Sequence, residues 1–148
     1  MHKHDLQFHS KKNIFAGYLT KKIIIMDNKN WPIIQQHLDC WKNKDFSKAA
    51  YATDLHFKGP LDEFRKASDF TTQATTVSQI VTDIVILQKF VEGDNAATLY
   101  NFVTNTPVGI MRIAEFYQLK NGKITSIETI FDPRATIALM EQMSNQKH

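Results

Sequence analysis

The sequence predicts an α+β fold, a curved antiparallel sheet wrapped around N-terminal helices. Three observations point to it. Ile34, His37, Leu38 and Trp41 recur at i, i+3, i+4 and i+7, which puts them on one buried helical face. The stretch from Ala96 to Asp132 reads as three successive strands, 96–106, 110–119 and 123–131, joined by turn chemistry. Helical patterns thus precede a run of strands, and 148 residues without an internal repeat suit a single core.

The elements follow in order. Pro32 suits the first turn of a helix, where its missing N–H costs nothing, and the sequence from Asn43 to Asp45 ends that helix. Asp45 is placed to cap a second short helix running through Ala49, Ala50 and Tyr51. Leu55 to Lys58 reads as a short strand closed by Gly59-Pro60. Leu61 to Ser78 keeps helical spacing at Phe70, Ala74 and Val77, but its threonines weaken it, which suits a lid. Gln79 to Val91 is strand-like, and Gly93-Asp94 turns it into the three-stranded meander. Within the meander, Asn121-Gly122 is a tight hairpin signal, since both central positions of that turn favour φ > 0. The turn at Asn105 to Gly109 is looser. Asp132-Pro133 marks the start of a last helix reaching Met143, with Asp132 as its cap.

Charge is uneven along the chain. Lysines 3, 11, 12, 21, 22 and 29 face only Asp5 and Asp27, which leaves 12 basic and 13 acidic residues of the chain's 18 and 15 for the remainder. The folded part is therefore near neutral, which argues against a nucleic-acid surface. Residues 1–30 form a basic arm without a clear period, and 31–148 form the domain. Two readings of the arm stay open: a mobile tail or edge strand, or a start-site artefact with Met26 as the true beginning. Cys40 is the single cysteine, no internal disulfide can form, and a reducing, cytoplasmic setting is expected. No apolar run approaches a membrane span. No metal cluster, phosphate-binding glycine loop or nucleophile elbow is present, so neither a metal nor another cofactor is expected.

The stretches Trp41 to Phe46 and Asp54 to Pro60, followed by Glu115-Phe116, Asn121 to Ile124 and Phe131-Asp132, resemble in order and spacing the SnoaL-like family of the nuclear transport factor 2-like superfamily. The resemblance covers about Trp31 to Arg134. It implies a cone, a cystatin-like roll whose sheet encloses a mostly apolar cavity, and commonly a homodimer, here through the convex sheet. It does not imply one activity, because members include isomerases, cyclases, hydrolases and proteins without chemistry. Laid on ketosteroid isomerase, the chain puts His37 at the oxyanion tyrosine, Gly59 at the base and Ala114 at the oxyanion aspartate, so two of three functional groups are missing. In a similar overlay on limonene epoxide hydrolase, a catalytic aspartate becomes Thr129.

The same overlay implies which side chains face the cavity: Thr98, Tyr100 and Phe102; Arg112, Ala114 and Phe116; Ile127, Thr129 and Phe131. Glu115 and Tyr117 then face the convex side. The candidate catalytic residue is His37, an imidazole on an apolar face that can act as acid, base or donor; the plainer reading is a core histidine satisfied by a carbonyl or a tyrosine hydroxyl. The candidate ligand contacts are Trp41, Phe57, Tyr100, Phe102, Arg112, Phe116, Thr129 and Phe131. An inward Arg112 needs a carboxylate, Asp83 or Glu128, or an anionic ligand; the alternative is an exposed arginine at the cone mouth. The expected function is binding of a small apolar molecule without nucleic acid or membrane. The alternatives are a cofactor-free isomerase, cyclase or hydrolase using His37, and a non-catalytic interaction module with a filled cavity.

Overall fold

A computed structural model describes residues 29–147. The elements are α1 (residues 29–43), β1 (Tyr51–Lys58), β2 (Glu63–Phe64), α2 (Ala67–Ser78), β3 (Val81–Glu92), β4 (Asn95–Thr104), β5 (Ile110–Lys120), β6 (Lys123–Ile130) and α3 (Arg134–Asn145). The expectations for the basic arm fall mostly on residues 1–28, outside the described part. Its last two residues do not: Lys29 and Asn30 are already helical, and buried Asn30 donates from Nδ2 to the carbonyl of Gly93 at 2.5 Å.

The six strands form one sheet in the order β2-β1-β6-β5-β4-β3. All neighbours are antiparallel except β1 and β6, which run parallel, so the sheet is mixed. Register shifts on β1, β3 and β6 add residues to one strand of a pair. Such bulges increase local twist and bend. The curved sheet and the helices give the α+β cone.

The local chemistry explains most boundaries. The α1 face of Ile34, His37, Leu38 and Trp41 is buried as its spacing predicts. Lys44 ends α1 with φ 58°, and its Nζ donates to the carbonyls of Ser78, Gln79 and Val81, tying the end of α1 to the end of α2. Asn121 and Gly122 take φ 52° and 76°, the two positive values a tight hairpin requires. The helix expected through Tyr51 is absent. Asp45 Oδ1 instead accepts from the Ser47 N–H, a local turn, and Tyr51 opens β1. At the other end, Asp132 Oδ1 accepts from the Arg134 N–H and fixes the start of α3. No residue of α3 is buried, and its Thr136 Oγ1 approaches Met111 Sδ at 3.3 Å.

Alternation along the strands decides what faces inward. On β4, Thr98, Tyr100 and Phe102 point into the cone, and on β6 Ile127 and Thr129 do so. On β5 the orientation is opposite to the one implied by the overlay. Met111, Ile113, Glu115, Tyr117 and Leu119 face inward, while Arg112, Ala114 and Phe116 face the convex side. The period of two flips a whole strand when the register moves by one residue.

Candidate functional site

Two regions fill the inside of the cone: a cluster of polar side chains around a buried carboxylate, and an apolar cavity beside it. Glu115 is the centre of the first and is 2% exposed. Oε1 accepts from His37 Nε2 at 2.6 Å and from the Tyr117 hydroxyl at 2.7 Å. Oε2 accepts from Thr129 Oγ1 at 2.8 Å and from the Tyr100 hydroxyl at 3.1 Å. The carboxylate thus takes four donors, two per oxygen, supplied by α1, β4, β5 and β6. Tyr117 has committed its hydrogen to Glu115, so the 2.9 Å contact with Thr98 Oγ1 makes Thr98 the donor. His37 Nδ1 meets the Tyr51 hydroxyl at 2.5 Å. Both nitrogens of His37 are therefore engaged inside the core, and the ring is fully buried.

This arrangement sets the charge. Burial by itself raises the pKa of Glu115, but the His37 ring beside it and hydrogen bonds from His37, Tyr117 and Thr129 outweigh burial and hold it below the usual carboxylate value. Burial, and after it the Glu115 charge, pushes Tyr100 and Tyr117 well above the ordinary phenol range, so both remain donors. Burial likewise raises the Cys40 thiol.

The cavity has a volume of about 660 Å³ and a largely apolar wall. Of the residues proposed from sequence, Trp41, Phe57, Tyr100, Phe102, Thr129 and Phe131 line it. His37 does not; it lies behind the wall, linked to the cavity through Glu115 and its partners Tyr100 and Thr129. Arg112 and Phe116 do not line it either. Arg112 is exposed on the convex face, where its Nε donates to Asn101 Oδ1 at 2.9 Å, and meets neither Asp83 nor Glu128. Asp83 pairs instead with Lys42. Phe116 is 48% exposed on that same face.

Sequence reasoning missed Glu115, Tyr117 and Tyr51. The strand pattern itself contained the first two: Ile113, Tyr117 and Leu119 alternate with Arg112, Gln118 and Lys120, which marks the Glu115 row as the buried one. Trp41 Nε1 is the one buried side-chain polar atom without a hydrogen-bond partner among the described residues. Its ring packs edge-on against Phe46, Phe70 and Phe102. No group of metal-ligating side chains occurs among the described residues, and none of their helices is long and apolar enough to cross a membrane.

Comparison with known structures places this geometry. An NTF2-like protein of unknown function from Cytophaga hutchinsonii is 19% identical, with a TM-score of 0.62 over 71% of this chain and 91% of its own. A polyketide-cyclase candidate from Sinorhizobium meliloti is 15% identical, with a TM-score of 0.60 over 67% of this chain and 94% of its own. TerC, crystallised with polyporic acid, is 15% identical, with a TM-score of 0.64 over 76% and 98%. The fold is NTF2-like. No curated protein matches the sequence. Residues 26–146 match the family described as a domain of unknown function, DUF4904, and the chain belongs to that family.

Proposed function

We propose that this chain binds a small, mostly apolar molecule in the cavity, and that it does so as a cytoplasmic homodimer of the SnoaL-like kind. The observation that carries the binding reading is the cavity itself: about 660 Å³, walled by Trp41, Phe57, Phe64, Phe70, Phe102 and Phe131. Concave, mainly apolar sites with a few polar groups suit small-molecule ligands. The space speaks against a module filled by its own side chains. The crystallisation of the fold relative TerC with polyporic acid is consistent with a small-molecule ligand.

Binding is favoured over acid–base catalysis because His37 has both nitrogens engaged and no place on the cavity wall. A catalytic base must come within hydrogen-bond reach of the substrate proton. The dimer reading rests on the convex face, where Val85, Phe90, Ile110, Phe116 and Ile130 are all at least 41% exposed. Such an apolar face is rarely left open to water, and a second copy covers it with the same patch.

Ala74 is buried on α2 and lines the cavity. Titration with naphthalene, followed by NMR shifts of the cavity residues, is expected to show saturable binding at one site per chain. Ala74→Phe, checked for folding by circular dichroism, is expected to abolish it. Absence of saturable binding in the parent protein, or binding indifferent to Ala74→Phe, overturns the proposal.

A further inference from the structure

We infer that the cavity selects a neutral or cationic ligand carrying a hydrogen-bond donor, a phenolic hydroxyl or an amine, and discriminates against anions. The inference rests on the binding reading above and specifies what that cavity accepts.

The reason lies in where each hydroxyl hydrogen goes. Thr129 and Tyr100 line the cavity, and each donates its only hydrogen to Glu115. Thr104, also on the wall, donates to the carbonyl of Gly109 at 2.9 Å and accepts from the Thr106 hydroxyl at 2.8 Å and the Thr106 N–H at 3.4 Å, so its hydroxyl is used up within its own turn. At the mouth, the hydroxyl of Thr136 is directed to Met111 Sδ. A hydroxyl has one hydrogen and two lone pairs. Once the hydrogen is committed to the protein, what remains for a ligand is an acceptor. The indole N–H of Trp41 does not change this balance, because Nε1 is shut off within the packed rings.

Charge points the same way. The charged residues on the wall are Asp62 and Glu141, both acidic, and no lysine or arginine lines it. Behind the floor, Glu115 adds a third negative group, held by its four donors. An anionic ligand entering this space meets like charge at the rim and floor, and the remaining side-chain donors on the wall, the Gln73 amide and the Ser144 hydroxyl, stand at exposed positions on α2 and α3 and not at the floor. A hydroxyl or amine finds lone pairs. Thr129 retains 7% exposure against 1% for Tyr100, which makes Thr129 the acceptor a ligand reaches.

The test uses naphthalene, naphthol, methoxynaphthalene and naphthoate, four probes of one ring system. In titrations at neutral pH, naphthol is expected to bind about tenfold more tightly than methoxynaphthalene, the difference one well-made hydrogen bond gives. Naphthoate is expected to be the weakest of the four. In the Thr129→Val variant, the preference for naphthol over methoxynaphthalene is expected to fall to within about twofold. The conservative Thr129→Ser variant keeps the hydroxyl and is expected to keep the preference, and the order of the four probes in the parent protein tests the inference should Thr129→Val not fold. Naphthoate binding as tightly as naphthol, or a preference for naphthol that survives Thr129→Val, overturns the inference and leaves the binding reading standing. If none of the four binds, naphthalene included, the binding reading fails and this inference with it.

Discussion

The two faces of β5 invert the usual expectation. Inward, between Ile113 and Tyr117, the strand carries the carboxylate of Glu115, 2% exposed; outward it carries Phe116, 48% exposed. A rule that sorts charge to water and rings to the core assigns both wrongly. The difference teaches what each face is for. A buried carboxylate persists only when donors satisfy it, and Glu115 has four of them from four elements. The inner face is thus fixed by a polar cluster that joins α1 to the sheet and sets the polarity of the adjoining cavity. The outer face has no such internal partner, and its rings call for a second surface.

Removing the carboxylate is the most severe way to break this contrast. Glu115→Ala strands the donors of His37, Tyr100, Tyr117 and Thr129 in the core and opens a void. The expected loss is about 3 to 5 kcal/mol of unfolding free energy, read from urea denaturation. Glu115→Gln keeps the volume and one acceptor oxygen, so it is expected to lose clearly less. The pH dependence follows from the same group. Its folded pKa lies below the ordinary carboxylate value, so near that value the unfolded chain binds the proton more readily. The stabilisation is full above the unfolded pKa of about 4.3 and disappears as pH falls through the lower folded value. Stability is expected to decline on acidification below about pH 4.5, and Glu115→Gln to flatten that decline. Asp45, Glu63, Asp83 and Asp132 are also held low by their hydrogen-bond partners, but they lie in open solvent, where such shifts contribute little. An acid limb identical in Glu115→Gln and parent would show that Glu115 does not carry the pH dependence.

Much of this architecture was legible in the residues. The α1 face and the Asn121-Gly122 hairpin follow from spacing and turn chemistry, because each depends on neighbours close in sequence, while the inward rows of β4 and β6 were implied by the family resemblance. The row on β5 did not come out, although its own alternation marks Ile113, Tyr117 and Leu119 as buried. Alignment to a distant relative displaced that local pattern by one residue, and Ala114 took the place that Glu115 holds. The cluster also had to be assembled from His37, Tyr51, Tyr100, Glu115 and Thr129, which span 92 positions of the chain. Periodicity finds faces; it does not show which polar side chains on separate faces meet. Tyr51 was lost for another reason. The Ala49-Ala50 pair favours a helix locally, while the pairing of β1 with β6 at Tyr51 and Ile124 draws the residue into the sheet.

The outer face is tested by a charge that spares the monomer. Phe116 stands directly opposite Glu128 on β6. Phe116→Lys therefore places a favourable cross-strand pair where a ring was, whereas a glutamate there would oppose a like charge. Light scattering after size exclusion is expected to give a dimer mass for the parent and a monomer mass for Phe116→Lys, with far-ultraviolet circular dichroism unchanged. A parent that stays monomeric up to high micromolar concentration, or a variant that stays dimeric, removes the convex face as the dimer surface.

The smallest effect is expected at Arg112, and it separates the two faces most cleanly. An arginine turned into the cavity would be its only cation and would draw anions in; Arg112→Met would then weaken naphthoate selectively. Arg112 instead lies exposed on the convex face, bonded to Asn101 across the β4–β5 pair. Exposed polar contacts of this kind contribute little, so Arg112→Met is expected to shift stability by no more than about 0.5 kcal/mol. Naphthol and naphthoate affinities are expected to stay within about twofold of the parent, since no ligand contact is lost. Thr129→Val removes a smaller polar group from the other side of the sheet, yet it is expected to change the ratio of naphthol to methoxynaphthalene binding. Set side by side, the two variants ask whether charge on the outside or lone pairs on the inside govern what this protein holds. A selective loss of naphthoate in Arg112→Met would decide for the former.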